Sequence, residues 1–163
     1  MVLTTRRLFL GSLASWALPS FATPTLMLAR DAGQAIDPAG YLVSEKFDGV
    51  RAVWDGRVLR FRSGLPVNAP AWFQARLPPQ PLDGELWLDR GKFEILSGIV
   101  RKAAPVDAEW RALRYQLFDL PGAPGSFSER AKQLHSVARL AAWQQLLAVP
   151  QVAMADQAAL RRR

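Results

Sequence analysis

The sequence predicts an α+β domain, rich in strands and with helices at its edges. Three observations point there. An Asp55-Gly56 pair sits between two apolar runs, which is a tight-hairpin signal. A Pro-rich stretch, Leu65 to Pro81, interrupts the middle of the chain. A capped, amphipathic run begins at Ser126. The chain has 163 residues, 50% of them hydrophobic and 21% charged, which suits one domain with a core and not a disordered polymer.

Taken in order, Tyr41 to Lys46 reads as a strand that ends in polar residues. Val50 to Trp54 and Arg57 to Arg62 are the two arms of the Asp55-Gly56 hairpin. The Pro-rich stretch is loop, with one short helix around Ala71 to Arg76. Leu82 to Asp89 reads as a turn at Asp83-Gly84 followed by a strand. Lys92 to Lys102 suits a helix or a strand equally. Leu113 to Leu120 is a strand stopped by Pro121-Gly122. Ser126-Phe127-Ser128-Glu129 forms a capping box, and Leu134, Val137, Ala138, Ala141 and Gln145 follow at helical spacing up to Pro150. Val152 to Ala155 suits a short strand, and Asp156 to Leu160 the start of a last helix.

The formal charge is +7, but Arg6, Arg7, Arg161, Arg162 and Arg163 supply five of those charges and the interior only about +2. A basic surface favours nucleic acid or acidic lipid, and the interior excess is small support for either. There is no cysteine, which excludes disulfides, thiol nucleophiles and Cys-bound metals. His135 is the single histidine and lies on the Ser126 helix with no second ligand arranged near it, so it reads as structural. The six tryptophans read as core packing.

Residues 1–29 read as an export signal. Arg6-Arg7 gives a positive start, and the apolar run Leu8 to Leu18 is too short to span a bilayer. Small residues near Ala22 and Ala29 offer two cleavage points. Thr5-Arg6-Arg7-Leu8-Phe9-Leu10 resembles a twin-arginine signal, with the general secretory route as the competitor. Either route places the mature chain, residues 30–163, in a periplasm.

The stretch that carries chemistry is Glu45-Lys46-Phe47-Asp48-Gly49-Val50-Arg51, which contains K-x-D-G-x-R. On an extended strand Lys46 and Asp48 share a face. Gly49 clears space for a close approach, and Arg51 offers a planar donor suited to phosphate. A neutral lysine is a nitrogen nucleophile, and a neighbouring cation such as Arg51, or a metal ion, favours the neutral form.

This motif resembles the signature of the covalent nucleotidyltransferases, which include ATP-dependent DNA ligases, RNA ligases and capping enzymes. Three further segments resemble later motifs of that family in order and spacing. They are Arg62-Ser63-Gly64, Asp83-Gly84-Glu85-Leu86 and Tyr115-Gln116-Leu117-Phe118-Asp119. The resemblance runs from about Tyr41 to Arg130 and looks closest to the small bacterial ATP-dependent DNA ligases, above all the periplasmic group. It implies an ATP-grasp-like adenylation domain of antiparallel sheets flanked by helices. It implies ATP as AMP donor, Mg²⁺ as its companion and nicked duplex DNA as partner, for a monomer without lasting membrane association. Lys46 would take up AMP, Arg51 and Arg62 would bind phosphates, Glu85 would hold the ribose and Phe118 would stack on adenine. Asp48 and Gly49 would support the lysine. No residue is assigned to a metal. The family's later E-G and K-x-K motifs and its OB-fold domain do not occur in the sequence. The expectation is therefore a C-terminally truncated, incomplete domain with weak activity. The competing expectations are an RNA ligase or capping-type enzyme, and a non-catalytic remnant.

Overall fold

The strands expected over Val50 to Trp54, Arg57 to Arg62, Leu82 to Asp89 and Leu113 to Leu120 all join one sheet. The computed structural model describes residues 26–27, 31 and 36–162, so the export-signal expectation lies outside the described residues except at Leu26 and Met27. Its strands are β1 (Leu42–Val43), β2 (Val50–Trp54), β3 (Leu59–Phe61), β4 (Leu82–Trp87), β5 (Arg114–Asp119), β6 (Leu146–Ala148) and β7 (Val152–Ala153). Its helices are α1 (Ala71–Ala75), α2 (Phe93–Val100), α3 (Asp107–Ala112), α4 (Phe127–Ala141) and α5 (Gln157–Arg161). The main sheet has five strands in the order β3-β2-β4-β5-β6, and β1 pairs with β7 in a separate two-stranded ladder. Hairpin and meander neighbours are antiparallel. The β5–β6 pair is parallel, with α4 as the crossover such a pair requires.

Strand alternation gives the sheet two unlike faces. Ala52, Trp54, Leu82, Leu86, Tyr115 and Leu117 are buried on one face, in a single cluster with Phe73 of α1, Leu96 of α2, Trp110 of α3 and Leu134 of α4. Tyr115 is fully buried, and its hydroxyl donates to the Ala52 carbonyl at 2.8 Å. The registers Arg51↔Glu85, Val53↔Asp83, Glu85↔Gln116 and Asp83↔Asp119 put a row of polar groups on the other face. That polar face is where the site forms.

Several expectations are corrected. Asp83-Gly84 lies within β4 and makes no turn. Gly84 is there because an added Cβ would stand 2.5 Å from the Gln116 carbonyl oxygen and 2.8 Å from the Tyr115 ring. The strand expected over Tyr41 to Lys46 shrinks to Leu42–Val43 and leaves the main sheet, since its partner is β7. Lys46 and Asp48 are therefore off any strand. The hairpin loop takes four residues, with the Asp55 carboxylate accepting from the Arg57 and Val58 N–H groups. The Lys92 to Lys102 segment is a helix that buries Leu96, Ile99 and Val100. Helix α4 stops before Pro150. Ala142 takes a left-handed φ of 47°, Trp143 buries itself, and the chain turns into β6. Strand β6, helix α3 and the parallel pairing were not anticipated, and they turn an all-antiparallel expectation into a mixed sheet.

Candidate functional site

The Lys46 segment reaches the polar face through Gly49. A Cβ at Gly49 would stand 2.3 Å from the Leu86 carbonyl oxygen and 2.7 Å from the Glu85 side chain. Only glycine lets the backbone press this closely onto β4. The Gly49 N–H donates to Glu85, so the turn into β2 and the carboxylate on β4 position each other. Phe47 meets Trp87 edge to face at 5.3 Å, and Glu45 pairs with Arg90 at 2.6 Å. Lys46 itself is exposed, and Asp48 is exposed beside it.

Arg51 stands at the centre of the face. Its Nε and Nη2 donate to the two oxygens of Asp83 at 3.1 and 2.6 Å, a two-pronged fit suited to a planar guanidinium. The guanidinium carbon lies 5.2 Å from the centre of the Phe118 ring, and Nη2 also donates to the Met27 carbonyl at 2.7 Å. Arg51 is thus a held, charge-balanced donor, and the planar donor expected from the sequence has Asp83 as its partner within the protein. Phe118 reaches this face through a bulge. The register passes from Gly84↔Leu117 to Asp83↔Asp119 and leaves Phe118 as the extra residue. Arg130 of α4 anchors the following Asp119 at 2.8 Å.

The electrostatics follow from burial. Burial pushes the Glu85 carboxyl up to about 7, against the pull of Arg51 and the Gly49 N–H, while Asp83 and Asp48 add like charge. Burial also raises Asp83, whose side chain is 1% exposed, and Arg51 draws it back down. The hydrogen bond to Asp83 holds Arg51 above its ordinary value. Near neutrality, then, the face offers a half-ionised carboxyl, a fixed guanidinium and an aromatic ring. Together they can accept a hydroxyl, fix an anion's orientation and stack a flat ring.

Of the residues expected at the site, the structure brings Gly49, Arg51, Glu85 and Phe118 together, with Asp48 close enough to bias Glu85. Phe47, the residue after Lys46, meets Trp87 on the same strand face as Glu85, while Lys46 itself is exposed. Arg62 lies apart, exposed in the turn after β3 that the Gly64 N–H closes on the Phe61 carbonyl. It lines a groove of about 1180 Å³ with Arg60, Val53, Leu120 and Val137. Sequence reasoning missed Asp83 as the partner of Arg51, and it missed Trp87 and Arg90. The alternation Asp83, Glu85, Trp87 along one strand face was the signal that could have found the first two. Among the described residues no three His, Cys, Asp or Glu side chains converge as a metal site.

No family model matches the chain. A DNA ligase of Haemophilus influenzae is 40% identical over 116 residues, covering 71% of this chain and 42% of the relative. A solved structure from a structure–function study of DNA binding by Lig E DNA ligases matches with 37% identity and a TM-score of 0.77, over 86% of this chain and 56% of that one. At the level of fold alone, the chlorella virus DNA ligase-adenylate matches with a TM-score of 0.62 and 16% identity, over 76% of this chain and 48% of that one. The bacteriophage T7 ATP-dependent DNA ligase in complex with ATP gives 0.51 and 18%, over 76% and 52%. This chain therefore spans less than half of the curated relative and a little over half of the Lig E structure. Over the part that it spans, the chain is thus similar in sequence to a DNA ligase and to a Lig E DNA ligase structure, and it shares the fold of the ATP-dependent DNA ligases.

Proposed function

We propose that this chain performs the nucleotide-charging step of an ATP-dependent DNA ligase, with Lys46 as the AMP acceptor. The observation that carries the reading is the gathering of Arg51, Glu85 and Phe118 on one sheet face, with Gly49, three residues after Lys46, pressed against Glu85 and Leu86. Phe118 offers a ring for adenine and Glu85 a carboxyl for the ribose hydroxyls. Arg51, squared by Asp83, orients a phosphate, and Arg62 serves phosphates from the groove beside it. The neutral Lys46 amine attacks the α-phosphorus of ATP. A P–N bond forms, the bond to the β-phosphate oxygen breaks, pyrophosphate leaves and the amine proton passes to solvent. A 5′-phosphate oxygen of a nicked duplex then takes the AMP, breaking the P–N bond. The adjacent 3′-hydroxyl attacks that phosphate, and AMP departs. Screening of the triphosphate by Mg²⁺ belongs to this reading, but no residue of the chain is assigned to hold the ion. The reading extends to a monomer that acts in the periplasm after export, without lasting membrane association. It rests there on Arg6-Arg7 and the run Leu8 to Leu18. Nick sealing of this kind serves DNA repair, recombination and replication.

The test is transfer of label from α-labelled ATP to the chain, followed by release in mild acid, which cleaves a phosphoramidate. K46A and K46R are expected to take up no label. Label that persists in K46A would remove Lys46 from the role. Nicked DNA against nicked RNA, and ATP against GTP, separate a DNA ligase from RNA-ligase and capping chemistry.

A further inference from the structure

We infer that Trp87 and Arg90 are positioning residues that hold Lys46 in its attacking orientation by pinning its two sequence neighbours. The inference rests on Lys46 as the AMP acceptor. Residues 44–48 belong to no strand or helix, so no ladder of backbone hydrogen bonds fixes the lysine. Side chains do so instead. Before it, Glu45 Oε1 accepts from Arg90 Nη2 at 2.6 Å. After it, the Phe47 ring meets Trp87 edge to face at 5.3 Å and 76°. Both anchors come from the end of β4 and the turn that follows. Trp87 is itself braced by Arg114, whose guanidinium carbon lies 5.9 Å from its ring centre. Gly49, pressed onto Leu86, closes the span a little further on. The lysine therefore rides on a short bridge whose supports all belong to one stretch, Glu85 to Arg90, and only its own side chain stays free.

The two pins differ in kind. The aromatic contact is indifferent to salt. The ion pair is exposed, with Arg90 at 79% and Glu45 at 42%, and is screened. Trp87 should carry most of the effect. Misplacing a reacting group by about 1 Å can cost on the order of a hundredfold in rate.

The experiment compares the unmodified chain with W87A, W87F and R90A by single-turnover labelling and by amide exchange. W87A should slow AMP transfer by about ten- to a hundredfold. The apparent affinity for ATP should move less than about threefold, because Phe118, Glu85 and Arg51 are untouched. W87F keeps a ring edge for Phe47 and should recover most of the rate. R90A should cost less, and its deficit should vanish as salt rises. Amide exchange at Gly49, whose N–H is held on Glu85, should quicken in W87A while β5 stays protected. Equal losses of rate and ATP affinity in W87A, or a failure of W87F to rescue, would overturn the assignment. So would unchanged exchange at Gly49. If the unmodified chain took no label while W87A still quickened exchange, the failure would fall on Lys46 as acceptor and the pin would stand.

Discussion

Gly49 and Gly84 are each a missing side chain that the fold uses. At both, a methyl group would meet a backbone oxygen, 2.3 Å away at Leu86 and 2.5 Å away at Gln116. Backbone oxygens within a ladder cannot swing aside, so β4 would have to shift. G49A should destabilise the chain by about 1–3 kcal/mol and should also displace the Lys46 segment. Thermal melting checks the first, and an unchanged melting curve would contradict the clash. The sequence signalled this glycine through K-x-D-G-x-R, and the structure supplies the reason. It signalled Arg51 too, but not its partner within the protein. Nothing local announces that Asp83, a long way along the chain, will take both prongs of that guanidinium, because the pairing depends on a register between strands.

Among the elements, α4 was the most legible, and its start is the reason. Ser126 accepts from the Glu129 N–H, and Glu129 returns to the Ser126 N–H at 2.7 Å, which completes the capping box. S126A should cost about 1 kcal/mol, read as a lower denaturation midpoint with an unchanged slope. The other end of α4 was illegible. Sequence offered Pro150 as the stop, yet the helix closes on Ala142 in a left-handed conformation, a place usually taken by glycine. Tertiary packing decides it. Trp143 buries itself against Phe73, and Gln145 donates to the carbonyls of Trp110 and Leu113. Strand β6 was missed for the same cause, since Leu146–Ala148 is too short to show a period and forms only because β5 lies beside it.

For the molecule as a whole, the sheet separates its labours by face: one holds the core, and the other gathers charge at the expense of stability. Glu85 carries that cost in a form that pH can expose. Its folded value of about 7 is above the usual carboxylate range, so folding favours its protonated form. The stability it contributes is full in mild acid and is lost as pH rises through about 7. Asp83, also raised, acts in the same direction. The melting temperature should therefore fall between about pH 5 and pH 8. E85Q should flatten that slope. A slope of opposite sign would show that Glu85 is not buried as described. The fold class and the order of the motifs were readable because each is local in sequence. The two faces and the bulge at Phe118 were not, because only the paired registers create them.

The two-residue ladder of β1 and β7 joins Leu42–Val43 to Val152–Ala153, segments more than a hundred residues apart in sequence. It closes a long loop with little burial, since both β7 residues are exposed. Loop closure costs entropy that so few contacts barely repay. The ladder should therefore open before the main sheet melts, which faster amide exchange in β1 than in β4 would show. Because the pinned bridge begins just beyond β1, opening of the ladder should loosen the chain leading into Lys46 while Trp87 and Gly49 keep their hold. Entry to the site is then expected to widen from that side without unfolding of the domain.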